Sequence, residues 1–237
     1  MNKLLMLLIT ITVAITLAAC GNDDTDTEES EKKSEATTSE QAQQELEITE
    51  EEKLAEDTSV AIVNGEEING TDYNPIYSQV KSTMYQYGQD VSDLNMIKNQ
   101  TVDILIDQAL VKQDAEAKGI EVTEEEAQEE LNTIKESGNE EDFAALLEQY
   151  NMTEEDFKKQ LMDDLLTIQY VEEFDATVSD EEIQEYYDQL KEQNEEIGEL
   201  EEVEEQIREI LVNEKQSEQL RAKVEELKEG AEIETVL

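Results

Sequence analysis

The chain has few side chains able to make or break a covalent bond, and the first of interest is Cys20, its only cysteine. A lone thiol can accept an acyl group, be oxidised or bind a soft metal, but it has no second cysteine to bridge to. There is no histidine and no tryptophan among the 237 residues. Ser-His-Asp and Cys-His nucleophilic catalysis are therefore excluded, and so are the usual zinc sites. Carboxylates are abundant, with 64 Asp and Glu. Glycosidase-type chemistry needs two of them facing each other across a cleft, whereas most of these acids fall on positions that read as solvated helix faces. The run Asp24-Thr25-Asp26-Thr27-Glu28 has the alternating acids of a calcium loop but lacks its turn glycine and its distal bidentate glutamate. No metal and no cofactor are expected.

The position of Cys20 says more than its reactivity. Asn2 and Lys3 precede an apolar stretch over residues 4–19, which closes on Leu17-Ala18-Ala19-Cys20-Gly21. A short polar start, an apolar core and small residues at the end make an export leader, too short and wrongly flanked for a spanning helix. The ending resembles the lipobox of bacterial lipoproteins. That resemblance implies a signal peptide over residues 1–19, a palmitate-type acyl chain on Cys20, and an extracytoplasmic protein held at the cell membrane by lipid. The formal net charge of −47 points the same way. Such a chain repels phosphate backbones and anionic headgroups, so no nucleic acid is expected as partner and the membrane is met through the lipid anchor alone. The acidity itself reads as adaptation to a salty or alkaline exterior ahead of a cation-storage role.

Residues 20–57 read as the lipidated cysteine and an acidic linker. Residues 21–57 carry fifteen acids against Lys32, Lys33 and Lys53, and their sizeable apolar side chains are Leu46, Ile48 and Leu54. Such a composition buries too little to offset the entropy of folding and predicts disorder, with a reach of roughly 30 Å as a random coil. The body is expected from Thr58. Val60, Ile62 and Val63 form a strand, Asn64-Gly65 is a strong two-residue hairpin signal, and Glu66-Glu67-Ile68 returns. Thr71 or Asp72 is expected to cap a helix running to Tyr87, with Pro75 in its first turn and Gly88 closing it. A long central helix over residues 93–118 carries Val102, Leu105, Ile106 and Ala109 on one stripe and ends at Gly119. Capping signals at Thr123, Thr153 and Ser179 open three further helices, with a short one over residues 140–149 between the first two. The buried stripe of the Thr153 helix is expected to be Phe157, Leu161, Leu165 and Ile168. A last long helix leads to Gly230, and Ile233-Glu234-Thr235-Val236-Leu237 reads as a strand whose obvious partner is the N-terminal hairpin. The fold class is mainly α with a small β hairpin paired to a C-terminal strand. Residues 58–198 form the main domain, and residues 199–237 form the closing helix and strand packed on it.

This order of elements carries a resemblance. The hairpin with Val63-Asn64-Gly65-Glu66 is followed by Leu105-Ile106-Asp107-Gln108-Ala109-Leu110-Val111. Next come Ala117-Lys118-Gly119-Ile120-Glu121-Val122 with its acid-capped helix, Asn151-Met152-Thr153-Glu154-Glu155-Asp156-Phe157, and Val178-Ser179-Asp180-Glu181-Glu182-Ile183. From Val60 to Leu190 the chain resembles the SurA N-terminal domain shared by periplasmic SurA chaperones and the PrsA-like foldase lipoproteins. The resemblance implies a Gram-positive bacterium, a role in protein folding, and a parvulin-type prolyl isomerase domain after the helix with Tyr186-Tyr187. Here only residues 188–199 separate Tyr187 from Leu200, and the histidines that line parvulin sites have no counterpart. The chain is therefore expected to lack the isomerase domain and not to be an enzyme.

The function so implied is that of an ATP-independent chaperone or foldase-like module binding unfolded or exported polypeptides. Flexible and aromatic side chains suit such contacts. The candidate client-binding residues are Tyr77, Met84, Tyr85, Tyr87 and Met152, each of which taken singly reads first as ordinary core packing. Two other readings stay open: a peptidyl-prolyl cis-trans isomerase, as in relatives, and a non-catalytic surface adaptor for one partner. The last helix is compatible with burial inside one chain and with a homodimer.

Overall fold

Asn64 and Gly65 adopt positive φ of 53° and 86°, the backbone that a tight two-residue hairpin needs. They join β1 (Ser59–Val63) to β2 (Glu66–Asn69) in antiparallel register, with Val63 opposite Glu66 and Ile62 opposite Glu67. β3 (Ile233–Thr235) pairs antiparallel with the other side of β1, giving the order β2-β1-β3. The computed structural model describes residues 46, 48–194 and 197–237. Cys20, the leader and most of the acidic linker lie outside the described residues. Among those described, seven helices complete the fold.

α1 (Gly70–Gln86) starts earlier than its sequence suggests. Asn69 is the N-cap: its side chain accepts from the Thr71 N–H, and Asp72 reaches back to the Asn69 N–H. Pro75 consequently falls in the second turn and gives up the bond to the Thr71 carbonyl. α2 (Leu94–Ala117) is the hub, packed against α1, β1, α5 and α7. Gly119 (φ +80°) reverses the chain after it. α3 (Glu124–Ser137), α5 (Glu154–Glu172) and α6 (Asp180–Gln193) each open with a full capping box, at Thr123/Glu126, Thr153/Asp156 and Ser179/Glu182. α4 (Glu140–Gln149) is capped by Asn139, and α7 (Leu200–Gly230) runs 31 residues to the closing strand.

The core is segmented. One cluster joins the sheet to α1 and α2 through Val60, Val63, Tyr73, Ile97, Leu105 and Leu110. A second joins α2, α5 and α7 through Val111, Ala115, Leu166, Tyr170 and Val224. A third, Val178, Ile183, Tyr187 and Ile207, belongs to α6 and the first half of α7. α5 is buried on two sides. Phe157 packs edge-on against Phe143, while Leu166 and Tyr170 face α2 and α7. The buried residues of α5 are thus Phe157, Leu161, Leu166 and Tyr170, and the expected Leu165 and Ile168 are only partly covered.

The body also begins before Thr58. Residues 48–57, expected as the end of a disordered linker, lie against α1, with Ile48 and Leu54 packed on the first cluster. The Asn74 side chain holds both the N–H and the C=O of Leu54, each at 2.9 Å. Glu52 pairs with Lys81 and accepts from the Tyr77 hydroxyl at 2.8 Å. Composition averaged over 37 residues concealed three anchoring side chains that find partners 20 or more positions away.

Candidate functional site

The end of the domain where α1 turns into α2 concentrates the exposed apolar surface. α1 finishes in a glycine-terminated motif: Gly88 (φ +69°) donates to Tyr85 O and Gln89 to Met84 O, each at 2.9 Å. The chain then turns on Asp90, whose carboxylate accepts the Ser92 N–H at 2.9 Å. Asp93 caps α2 by accepting the N–H groups of Asn95 and Met96 at 3.1 Å. Hydrogen bonds from the Ser92 side chain and backbone hold the Asp90 carboxyl below its ordinary value, so it is anionic at neutral pH. This pinned connection presents Tyr85 (41% exposed), Tyr87 (62%), Leu94 (45%) and Met96 (44%) to solvent. Four large apolar side chains on twelve residues of chain are more than scattered surface apolar residues would supply.

The five residues singled out by type separate here. Tyr85 and Tyr87 lie in the exposed set. Tyr77 and Met84 are core residues, 3% and 5% exposed, and cannot meet a partner without unfolding. Tyr77 stacks on Tyr73 with ring centroids 5.4 Å apart, and residues 48–57 cover its hydroxyl. Met152 is partly buried at the end of α4, where its N–H closes a second such motif on Leu147 O around Asn151 (φ 50°). Ser82 Oγ donates to Gln149 O at 3.3 Å, which brings this end of α4 to the face of α1 that carries Tyr85 one turn later. Leu94 and Met96 were missed. The available signal was angular: at about 100° per residue, Met96 points well away from the Ile97–Thr101 stripe it precedes.

No group of three or more His, Cys, Asp or Glu among the described residues could hold a metal ion. One titratable cluster joins Asp114, Lys118 and Tyr170. The Tyr170 hydroxyl donates to Asp114 Oδ2 at 2.5 Å, and Lys118 lies 2.7 Å from the same oxygen and 4.4 Å from the ring centroid. Burial would raise Asp114, but Lys118 and Tyr170 outweigh it and hold the carboxyl low. The cluster fastens α5 to α2. A shallow cleft of about 120 Å³ between β2, α1, α2 and α5 is crossed by the Lys159–Asp72 ion pair.

Residues 1–171 match the family described as the SurA-like N-terminal domain. The chain belongs to that family. It is 33% identical over 144 residues to the foldase protein PrsA of Caldanaerobacter subterraneus subsp. tengcongensis. That alignment takes in 56% of this chain and 43% of the relative, so the chain spans less than half the length of that protein. Among solved structures it is similar to a chain of the two structurally related SurA-like chaperones PEB4 and Cj1289 of Campylobacter jejuni. The TM-score is 0.47 at 14% identity, covering 76% of this chain and 99% of that one. No helix among the described residues is long and apolar enough to cross a membrane.

Proposed function

We propose that this SurA-like chain is a lipid-anchored, extracytoplasmic holding chaperone that binds unfolded exported polypeptides without ATP and without covalent chemistry. The single observation that carries the reading is the pinned α1–α2 connection with Tyr85, Tyr87, Leu94 and Met96 exposed at its flanks. Aromatic and methionine side chains supply adaptable contact area to varied apolar segments. The neighbouring carboxylates Asp90 and Asp93 keep that surface hydrated and discourage its own association. Membership of the SurA-like family and the similarity to a protein named as a foldase support the same reading. Acylation of Cys20 would hold the module at the membrane face where exported chains emerge.

The test is suppression of light scattering by reduced lysozyme, with the full chain and a Tyr87→Ser/Leu94→Ser/Met96→Ser variant. All three positions are exposed, so the variant should melt with the parent while losing most of its holding capacity. Unchanged suppression by a folded variant would move the binding surface elsewhere. A single tight partner in crosslinking, with no effect on lysozyme, would favour the adaptor reading. A protease-coupled prolyl peptide assay is expected to give only the uncatalysed rate.

A further inference from the structure

Among the described residues, β3 is a sheet edge with no strand paired on its far side. Its pairing with β1 uses alternate residues: Asn64 N–H bonds Glu232 O at 2.8 Å, Ile62 faces Glu234, and Val236 N–H bonds Val60 O at 2.9 Å. The backbone groups of Ile233 and Thr235 therefore point outward, and all three residues of the strand are exposed. An open edge of this kind is a template for another strand.

We propose that this edge takes up an extended polypeptide segment that alternates basic and apolar residues, adding it to the sheet as a fourth strand. The proposal rests on the reading of the chain as a polypeptide-holding module and names what the partner must carry. The register fixes the chemistry on each face. Glu67, Ile62 and Glu234 stand side by side on the outer face, so the residue of an added strand next to Glu234 meets a carboxylate there. Lysine or arginine at that place gains a cross-strand pair, and an acid is repelled. On the opposite face Ile233 and Thr235 align with Val63 and Ala61, which are fully buried, but the helical layer leaves Ile233 36% exposed. An apolar residue next to Ile233 would extend that covered surface by one strand.

The same charges disfavour the other occupants. A second copy pairing β3 to β3 about a two-fold centred on Ile233 would set Glu232 against Glu234, between chains that each carry −47. An acidic segment is disfavoured at the same place for the same reason.

The experiment uses the full chain and two synthetic peptides, one alternating lysine with valine and one alternating glutamate with valine. Binding is followed by fluorescence anisotropy, and the site by amide hydrogen exchange. The lysine peptide should bind and slow exchange at Ile233 and Thr235, and the glutamate peptide should do neither. Thr235→Pro removes an outward N–H that β1 does not use, so β3 stays paired, and it should weaken the lysine peptide by about tenfold. Glu234→Lys should reverse the preference between the peptides. Protection confined to residues 85–96, or a folded Thr235→Pro variant that binds as the parent does, overturns the edge proposal. The lysozyme assay is independent of it: Thr235→Pro should leave holding at the α1–α2 end intact, and loss of holding in the triple-serine variant does not touch the edge.

Discussion

Lys81→Met should release residues 48–57 from the body, and the size of the effect can be worked from the structure in two ways. The side chains of Lys81 and Glu52 are 7% and 5% exposed and paired with each other. Burial alone would raise the Glu52 carboxyl. The Lys81 ammonium, the Thr49 N–H, the Tyr77 hydroxyl and the Thr49 hydroxyl outweigh it and hold the carboxyl at about 2, against an ordinary 4.5. At about 1.36 kcal/mol per pH unit, that gap corresponds to about 3 kcal/mol favouring the charged, folded form. Independently, removing one member of a buried ion pair typically costs about 3–5 kcal/mol, because the other charge is left unpaired. The first figure belongs to Glu52 with all its partners and the second to the loss of one of them, and together they put the cost of Lys81→Met on the order of 3 kcal/mol.

The pH dependence gives the sign. A carboxyl held below its unfolded value contributes stability that is complete above about 4.5 and is lost as pH falls toward about 2. The deficit of Lys81→Met should therefore be full at pH 7 and shrink below pH 4. Glu52→Gln combined with Lys81→Met should recover much of it. Urea unfolding gives the free energies, and limited proteolysis within residues 48–57 reports whether the segment itself has lifted. Gly70→Ala tests the same contact without altering charge, since a Cβ there would lie 2.1 Å from the Ala55 carbonyl oxygen. Deficits under about 1 kcal/mol that do not change with pH, together with parental cleavage rates in both variants, would refute the reasoning.

Two further outcomes follow from single positions. Gly88→Ala places a side chain at φ +69° with no steric contact within 4 Å, so it should destabilise by about 1–2 kcal/mol through the backbone alone and weaken holding by loosening the α1–α2 connection, read by urea unfolding and the lysozyme assay. Asp164 shares the α5 stripe of Phe157 and Leu161, and burial with the adjacent Asp163 pushes its carboxyl up to about 7. A carboxyl raised this way adds stability at low pH that is lost as pH rises through about 7, so Asp164→Asn should exceed the parent in melting temperature at pH 8 and match it near pH 4.

What was legible in the sequence was local chemistry. Asn64-Gly65, the pairs Thr123/Glu126, Thr153/Asp156 and Ser179/Glu182, and the terminators Gly88 and Gly119 all act over two to five residues, and the backbone follows them. The pairing of the last strand with the hairpin was also legible, because an isolated strand must find a partner and the hairpin was the obvious one, whereas the choice of β1 over β2 as the edge was not. Illegible were choices made by tertiary contact. Tyr77 and Tyr85 have the same side chain on the same helix, and what separates them is that Glu52, 25 residues upstream, crosses one and not the other. The periodicity of α5 predicted one buried stripe, but α4 on one side and α2 with α7 on the other divide the helix between two surfaces.

The distribution of the 17 basic residues gives salt two opposing effects. Several bridge separate elements: Lys81 to Glu52, Lys159 to Asp72, Lys228 to Asp107 and Lys215 to Glu182. With cations committed to these internal contacts and 64 acids in the chain, the remaining surface is dominated by carboxylates that repel one another. Raising ionic strength from about 0.1 M to 1 M shortens the screening length from about 10 Å to 3 Å. The repulsion among exposed acids is relieved, whereas the largely buried Glu52–Lys81 pair is little affected, so melting temperature should rise. The same screening weakens attraction between Glu234 and a basic strand, so affinity for the lysine–valine peptide should fall over that range. Holding of reduced lysozyme through Tyr87, Leu94 and Met96 is apolar and should persist. Melting curves, peptide anisotropy and lysozyme scattering on one salt series distinguish the three. A melting temperature that falls with salt would mean that exposed ion pairs, and not the net charge, dominate the stability of this domain.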